Sequence, residues 1–474
     1  MKRIILSVIA VAFLGCKQES TQSKNHIKLE AHSKTPNFLK VSEDFPNLKV
    51  YPILSSEDKL SETPEFVYGS AADGAALLAN KDGSFSLINN MEGDYSIARI
   101  KLDSTLKPVG GEYIVNSVGT ARTAQCSGSI ITPEDHGFGP LYLSGGEAGK
   151  SSRGVFATDP YKDASKASSA TLLTSLGQWA VENAVALNKN AFPEKTVILI
   201  GDDHADNETP SGQLAMYIGD RGDLENGKLY GLKVNDPQVQ FEVDMKKGNE
   251  YPIEFVELDE RQFDLLDQES KIKGVMGFSR VEDIDWRRGN AENNREVYFC
   301  VTGRKHPALE GKGSKFGRVY KLNLNENDPT KGSISCVLDG DIKGSPEASF
   351  HSPDNIAVTQ DYIYIQEDPN GYFDQEDKKH FARMYQYNLQ TKAFKTVLEC
   401  DQKSAEANGY GTSDKIWELT GVVDISDIIN KEGTFMIISQ NHGWENESFT
   451  DPKATDSPSN SEGSILYVVE GLER

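Results

Sequence analysis

Acidic side chains recur in this chain wherever a short apolar run meets a turn, and that placement is the first sign of chemistry. Ser86–Met91 runs into Glu92, Pro140–Gly146 into Glu147, Thr196–Gly201 into Asp202 and Asp203, and Tyr362–Gln366 into Glu367 and Asp368. A strand that stops at an acid and returns through Gly, Asn or Pro sets that acid on the sheet rim, not in the core. Several rims converging on one face would crowd like charges, and such a cluster calls for cations at its centre. A thiol could join it, because Cys126 lies in the small, polar stretch Arg122-Thr-Ala-Gln-Cys126-Ser-Gly128, which has no strand pattern. Arg280 and Glu282 are two residues apart in an extended run. They would face one side together, a planar cationic fork beside a carboxylate.

The elements that must position these groups read as strands and turns from about residue 64 onward. Alternating or β-rich runs such as Gly74–Ala79, Thr196–Ile200, Glu296–Thr302, Arg383–Tyr387 and Ser464–Val469 are separated by turns such as Lys81-Asp82-Gly83 and Glu225-Asn226-Gly227. Many short strands at near-regular spacing predict an all-β fold, a propeller of roughly six blades with inserted loops and a few short helices. Each unit is expected to hold an inner strand ending in acids, a loop, and a hairpin of two more strands. Ser165–Asn188, rich in Ala and Leu, is expected to be helical in part, and Asp259–Glu269 to form a short helix.

The whole chain has 474 residues and a formal net charge of −22, with 72 Asp and Glu against 50 Lys and Arg. No basic patch suits a phosphate backbone, so nucleic acid is excluded as a partner. A small phosphorylated substrate is not excluded, since bound metal ions reverse the local sign. Met1-Lys2-Arg3, the apolar run Ile4–Gly15 and then Cys16 read as an export signal with lipoprotein processing. Residues 1–16 would be the signal peptide, Cys16 the lipidated terminus, 17–46 a polar tether, and 47–474 one propeller domain. That arrangement implies a monomeric periplasmic or surface protein, anchored to the outer membrane only through lipid. Of the other cysteines, Cys300, Cys336 and Cys400 lie in or beside strand-like runs. Burial as small hydrophobes and pairing in disulfides are both open for them.

With these strand ends in view, the chain resembles the PhoX-type alkaline phosphatase family of secreted, metal-dependent β-propellers, as an ordered series of short motifs over most of residues 66–474. The resemblance implies iron(III) and calcium clustered on the propeller axis, a cysteine among the iron ligands, and hydrolysis of phosphate esters. Arg122–Gly149 looks like the family's cysteine loop and following strand, with Cys126 and Glu147 as ligands and Gly146 where a second glutamate is common. Trp179-Ala-Val-Glu182 resembles a His-Glu-Xaa-Ala element, with Val181 in place of histidine and Glu182 as an iron ligand. Asp202 and Asp203 match a calcium-binding pair. Phe278-Ser-Arg280-Val-Glu282-Asp283 resembles an Arg-Pro-Glu-Asp element, which implies that Arg280 clamps phosphate and Glu282 binds metal. Asp354, Glu367, Asp368 and, in the last blade, Glu418 complete the implied ligand set, with His442 nearby. Asn90-Met91-Glu92 resembles an Asn-His-Glu element, with methionine replacing histidine. Two other readings share the fold. One is a calcium-dependent propeller lactonase or esterase built on Asp354, Asn355 and Glu418. The other is a non-catalytic binding propeller stabilised by calcium.

Overall fold

The computed structural model describes residues 27–148, 152–369 and 378–474. Among them the strands form six antiparallel blades. The first runs Ala72–Ala79, Phe85–Met91, Ser96–Leu102, Pro108–Val115, and the second Gln125–Ile131, Leu141–Gly146, Gly154–Thr158, Leu172–Leu173. The third (Val181–Ala186 to Lys228–Val234) and the fourth (Val281–Trp286 to Lys331–Asp339) are fused at their outer edges by Glu250–Leu258, which pairs with both. The fifth begins at Pro353–Val358 and the sixth at Glu418–Asp424. The first strand of each blade packs against the first strand of the next, and the ring closes from the sixth blade back to the first. This is a β-propeller, as the strand pattern predicts.

Closure is completed by the N-terminal segment. Lys49–Ser55 pairs with the C-terminal strand Glu462–Glu470, so the two ends of the domain share one blade. Leu39–Val41 adds a fifth strand to the fifth blade through Phe394–Cys400. The expectation of a tether over 17–46 therefore fails for residues 27–46: Leu29, Phe38 and Leu39 are buried against the propeller. Polar composition hid three apolar anchors, Leu29 and the adjacent Phe38 and Leu39. Residues 1–26, including Cys16 and the apolar leader, lie outside the described residues. No helix among the described residues is long and apolar enough to cross a membrane.

Successive strand residues point to opposite faces, so each blade feeds two interfaces. In the fourth blade Val297, Phe299 and Val301 pack on the third blade beside Leu199 and Met216, while Tyr298 and Cys300 pack on the fifth beside Ile363 and Tyr385. Every seam between neighbouring blades has an apolar cluster of this kind. Cys126, Cys300, Cys336 and Cys400 are all buried free thiols, which settles the alternatives left by the sequence.

One local expectation changes and one holds with a shift along the chain. The Ser165–Asn188 region forms single 3-10 turns at Ala164–Lys166 and Thr174–Leu176, then the inner strand Val181–Ala186, which is buried on both faces. Gly177, at φ 84°, breaks any helix there, and tertiary burial overrides the Ala and Leu propensity. The short helix does form, at Phe263–Lys273, ending at Gly274 with φ 76°.

Candidate metal centre on the propeller axis

The strands that end in acids are second strands, not inner ones as expected. Because second strands run antiparallel to inner strands, their acidic ends lie beside the starts of the inner strands. Those starts carry the site. In five blades the register of the inner strand shifts over two residues: Asp73-Gly74, Cys126-Ser127, Glu182-Asn183, Glu282-Asp283 and Asp354-Asn355. A bulge of this kind re-aims side chains that a regular strand would alternate between faces. In the sixth blade Glu418 opens the strand and the irregularity follows between Thr420 and Val423. Each blade thus offers one acid or thiol at the same level: Asp73, Cys126, Glu182, Glu282, Asp354 and Glu418.

Ligand-capable atoms of Asp73, Cys126 and Glu182 lie within 4.8 Å of one another, as do those of Glu92, Cys126 and Glu147. Asp368, Glu418 and His442 form a third such group. Cys126 belongs to two of them and sits 3.7 Å from Glu147 Oε2. Burial pushes its thiol well up, and Glu182, Glu92, Glu147 and Asp73 push further. Burial likewise raises the carboxyls of Glu182, Glu282, Asp354 and Glu418, with neighbouring acids adding to the shift. Burial raises Asp73 to about 8. So many acids in one dry space keep their protons unless cations replace them.

The arrangement fits metal ions on its donor set. Buried Asp354 Oδ1 and the side-chain oxygens of Asn90, Asn183 and Asn355 have no hydrogen-bond partner. Uncommitted buried oxygens are costly, and here they surround carboxylates and one thiol. Oxygen donors suit calcium, and a thiolate among carboxylates suits iron. Other contacts orient the ring. The Ser127 N–H donates to Glu182 Oε1 at 3.1 Å, Asn355 Nδ2 reaches Ser127 Oγ at 2.6 Å, and Gln440 Nε2 donates to Glu92 Oε2 at 3.1 Å. Thr420 donates to Asp73 and Thr302 to Glu282.

Arg280 sits at φ 73°, a left-handed conformation unusual for a side chain of its size, immediately before the bulge. Ala71 and Ser352 hold the same position in the first and fifth blades, at φ 50° and 46°. The Arg280 guanidinium holds Asp203 through one hydrogen bond, Nη2 to Oδ2 at 2.8 Å, and an ion-pair contact of Nε with Oδ1 at 2.7 Å. Nη2 lies 3.4 Å from Glu282.

Two residues of the implied set lie apart. Asp202 turns away from the axis: it accepts from the Ala180 N–H at 2.9 Å and is raised by burial, with Asp203 and Asp267 as its acidic neighbours. Glu367 lies in a separate buried group with His351 and His380, whose ligand-capable atoms are within 4.8 Å of one another. It accepts the N–H groups of His351 and Arg383 and the Tyr385 hydroxyl, at 3.1, 3.0 and 3.0 Å, with His380 at 3.5 Å. Cys126, Glu147, Glu182, Asp203, Glu282, Asp354, Asp368 and Glu418 do meet at the axis. Sequence reasoning missed Asp73 altogether and undervalued Glu92. The available signal was the repeated pair, an acid or Cys followed by Gly, Ser, Asn or Asp, at the second and third positions of five inner strands.

No family profile matches this chain, and no characterised protein matches its sequence. Among solved structures, a GH43 β-1,3-galactosidase shares 9% identity over 87% of this chain and 94% of its own, with a TM-score of 0.36. The Neurospora crassa Pan2 WD40 domain shares 8% identity over 88% and 97%, with a TM-score of 0.33. A GH43_1 enzyme from Xanthomonas citri shares 8% over 85% and 88%, at 0.32. Likenesses this distant carry no argument about chemistry. The propeller assignment rests on the strand order and the closed inner ring.

Proposed function

We propose that this protein is a metal-dependent phosphohydrolase that cleaves phosphate esters at the axial mouth of the propeller. The observation that supports this most is the convergence of one acid or thiol from every blade beside a forked arginine. Iron(III) would be held around Cys126 by Glu182, Glu282 and Glu147. Calcium would be held on the side away from the thiol by the carboxylates of Asp354, Asp368 and Glu418. Bound there, such ions supply a Lewis acid for phosphoryl oxygens and an activated nucleophile.

The chain's own groups do the rest. Asp203 takes Nε and Nη2 of Arg280 and leaves Nη1 without a partner among the described residues. That free edge suits a phosphoryl oxygen, and the low dielectric of a site only 22% exposed at Arg280 strengthens the contact as charge builds. The inserted segment 204–212 follows the acids of the third blade.

The test is metal analysis of protein purified without chelators, together with turnover of p-nitrophenyl phosphate. Iron and calcium both present with turnover is the expected result. Protein that carries no iron and hydrolyses no phosphate ester overturns the reading. Calcium alone with lactone turnover would move the assignment to the lactonase class.

A further inference from the structure

The rim of the axial mouth carries a second arginine that the chemistry proposed above does not use. The second blade pairs Gly146 with Gly154. One step further, the same register sets Arg153 opposite Glu147, whose Oε2 lies 3.7 Å from Cys126 Sγ. Arg153 is half-buried. It makes no hydrogen bond or ion pair with any described residue, and its Nε is buried without an acceptor. A buried charged donor is rarely left idle, because it forfeits its bonds to water.

Aromatic packing, not a counter-charge, holds this side chain. The guanidinium carbon lies 4.3 Å from the centre of the Phe263 ring, and the His204 ring meets Phe263 edge-on at 5.1 Å. Stacking uses the face of the guanidinium and leaves its in-plane N–H groups available. His204 directly follows Asp203, the partner of Arg280. The strand end of the third blade thus serves two arginines: Asp203 pairs with Arg280, and His204 backs the ring on which Arg153 rests. Phe263 is also the first residue of the helix Phe263–Lys273, whose N-cap Gln262 makes no side-chain bond. The positive end of that helix adds to the charge of Arg153 instead of cancelling it. Two acids are close enough to matter, and neither neutralises the pair. Asp264, in the first turn, is exposed, and Asp202 accepts the Ala180 N–H at 2.9 Å.

We infer that Arg153 determines substrate specificity: it binds a second oxyanion on the substrate while Arg280 holds the phosphoryl group. The preferred substrates are then phosphate esters whose alcohol part carries a carboxylate or phosphate of its own. The assignment rests on the phosphohydrolase reading and narrows its substrate class. A planar fork fits either oxyanion with parallel N–H bonds, and a helix N-terminus without a side-chain cap favours the same sign of charge. An ester with no second anion leaves Arg153 unused, so this contact separates the two kinds of substrate.

The experiment compares kcat/KM within matched pairs for wild type, Arg153→Gln and Arg153→Lys. The pairs are 3-phosphoglycerate with glycerol 3-phosphate, and fructose 1,6-bisphosphate with fructose 6-phosphate. In at least one pair wild type should favour the doubly charged ester by about ten-fold or more, chiefly through KM. Preference in the first pair alone identifies a carboxylate, and in the second alone a phosphate. Arg153→Gln should bring the ratio near one, and Arg153→Lys should restore part of it. A wild-type ratio near one in both pairs, or a preference that survives in Arg153→Gln, overturns the assignment. Should no phosphate ester be turned over, the hydrolase reading fails by itself, and the same compounds are titrated calorimetrically into the full protein as purified. Tighter binding of the doubly charged members, lost in Arg153→Gln, keeps the anion site; equal binding removes it.

Discussion

Replacing Glu242 by alanine tests how the fold holds Arg280 in place. Glu242 is 0% exposed and lies in a single turn between the third and fourth blades. Its carboxylate accepts the Ser279 N–H at 2.6 Å and the Ser314 N–H, while its backbone carbonyl accepts Arg318 Nη1 at 2.7 Å. Ser279 immediately precedes Arg280, whose φ of 73° needs a rigid frame. Alanine strands two buried donors at about 1–3 kcal/mol each, so the expected loss of stability is roughly 4 kcal/mol. Urea unfolding at about pH 5 measures it, and a loss below about 1 kcal/mol there would refute the reasoning. Turnover should fall as well, because a freed Ser279 lets the Arg280 backbone relax.

The pH dependence sharpens the same test. Burial raises Glu242 to about 7, even with Arg318 and the two N–H groups opposing the shift. A carboxyl whose folded pKa is raised binds more protons folded than unfolded between about pH 4.3 and 7, so its contribution falls as pH rises through that window. Across that window the total is roughly 4 kcal/mol, lost from wild type and not from the alanine variant. The stability gap between the two should therefore narrow from pH 4.5 to pH 8. A gap that widens over this range would contradict the assignment.

Three further outcomes follow from the site and the fold. Cys126→Ser, nearly isosteric and in a residue 3% exposed, should keep the fold yet lose iron and at least about 10²-fold in phosphate-ester turnover; retained iron by elemental analysis removes the thiol from the centre. Arg280→Lys should keep both metals but lose about 10²-fold in kcat, since a compact ammonium cannot pair with Asp203 and still offer a planar free edge; an unchanged kcat refutes the clamp. Phe38→Ala should cost about 3–5 kcal/mol in urea unfolding, because Phe38 is 2% exposed beneath the added strand of the fifth blade; a near-zero cost would return residues 27–46 to the status of a tether.

Strand and turn signals are local, and so the amino-acid order alone determined the all-β class, the propeller, roughly six units and the rim acids Glu147, Asp203 and Asp368. Local signals did not separate the acids that reach the axis from those that do not. Glu367 and Asp202 share the same strand-end pattern, yet one is held among His351, His380, Arg383 and Tyr385 and the other accepts the Ala180 N–H. Which way a side chain points at a strand end depends on register with the partner strand, and register is a long-range property. Only the tertiary structure decided that a two-residue bulge opens the inner strands and brings Asp73, Cys126, Glu182, Glu282 and Asp354 to one axis. These positions are scattered over nearly three hundred residues of sequence. Ring closure through Lys49–Ser55 and Glu462–Glu470 makes them neighbours, because a propeller converts separation along the chain into adjacency around a circle.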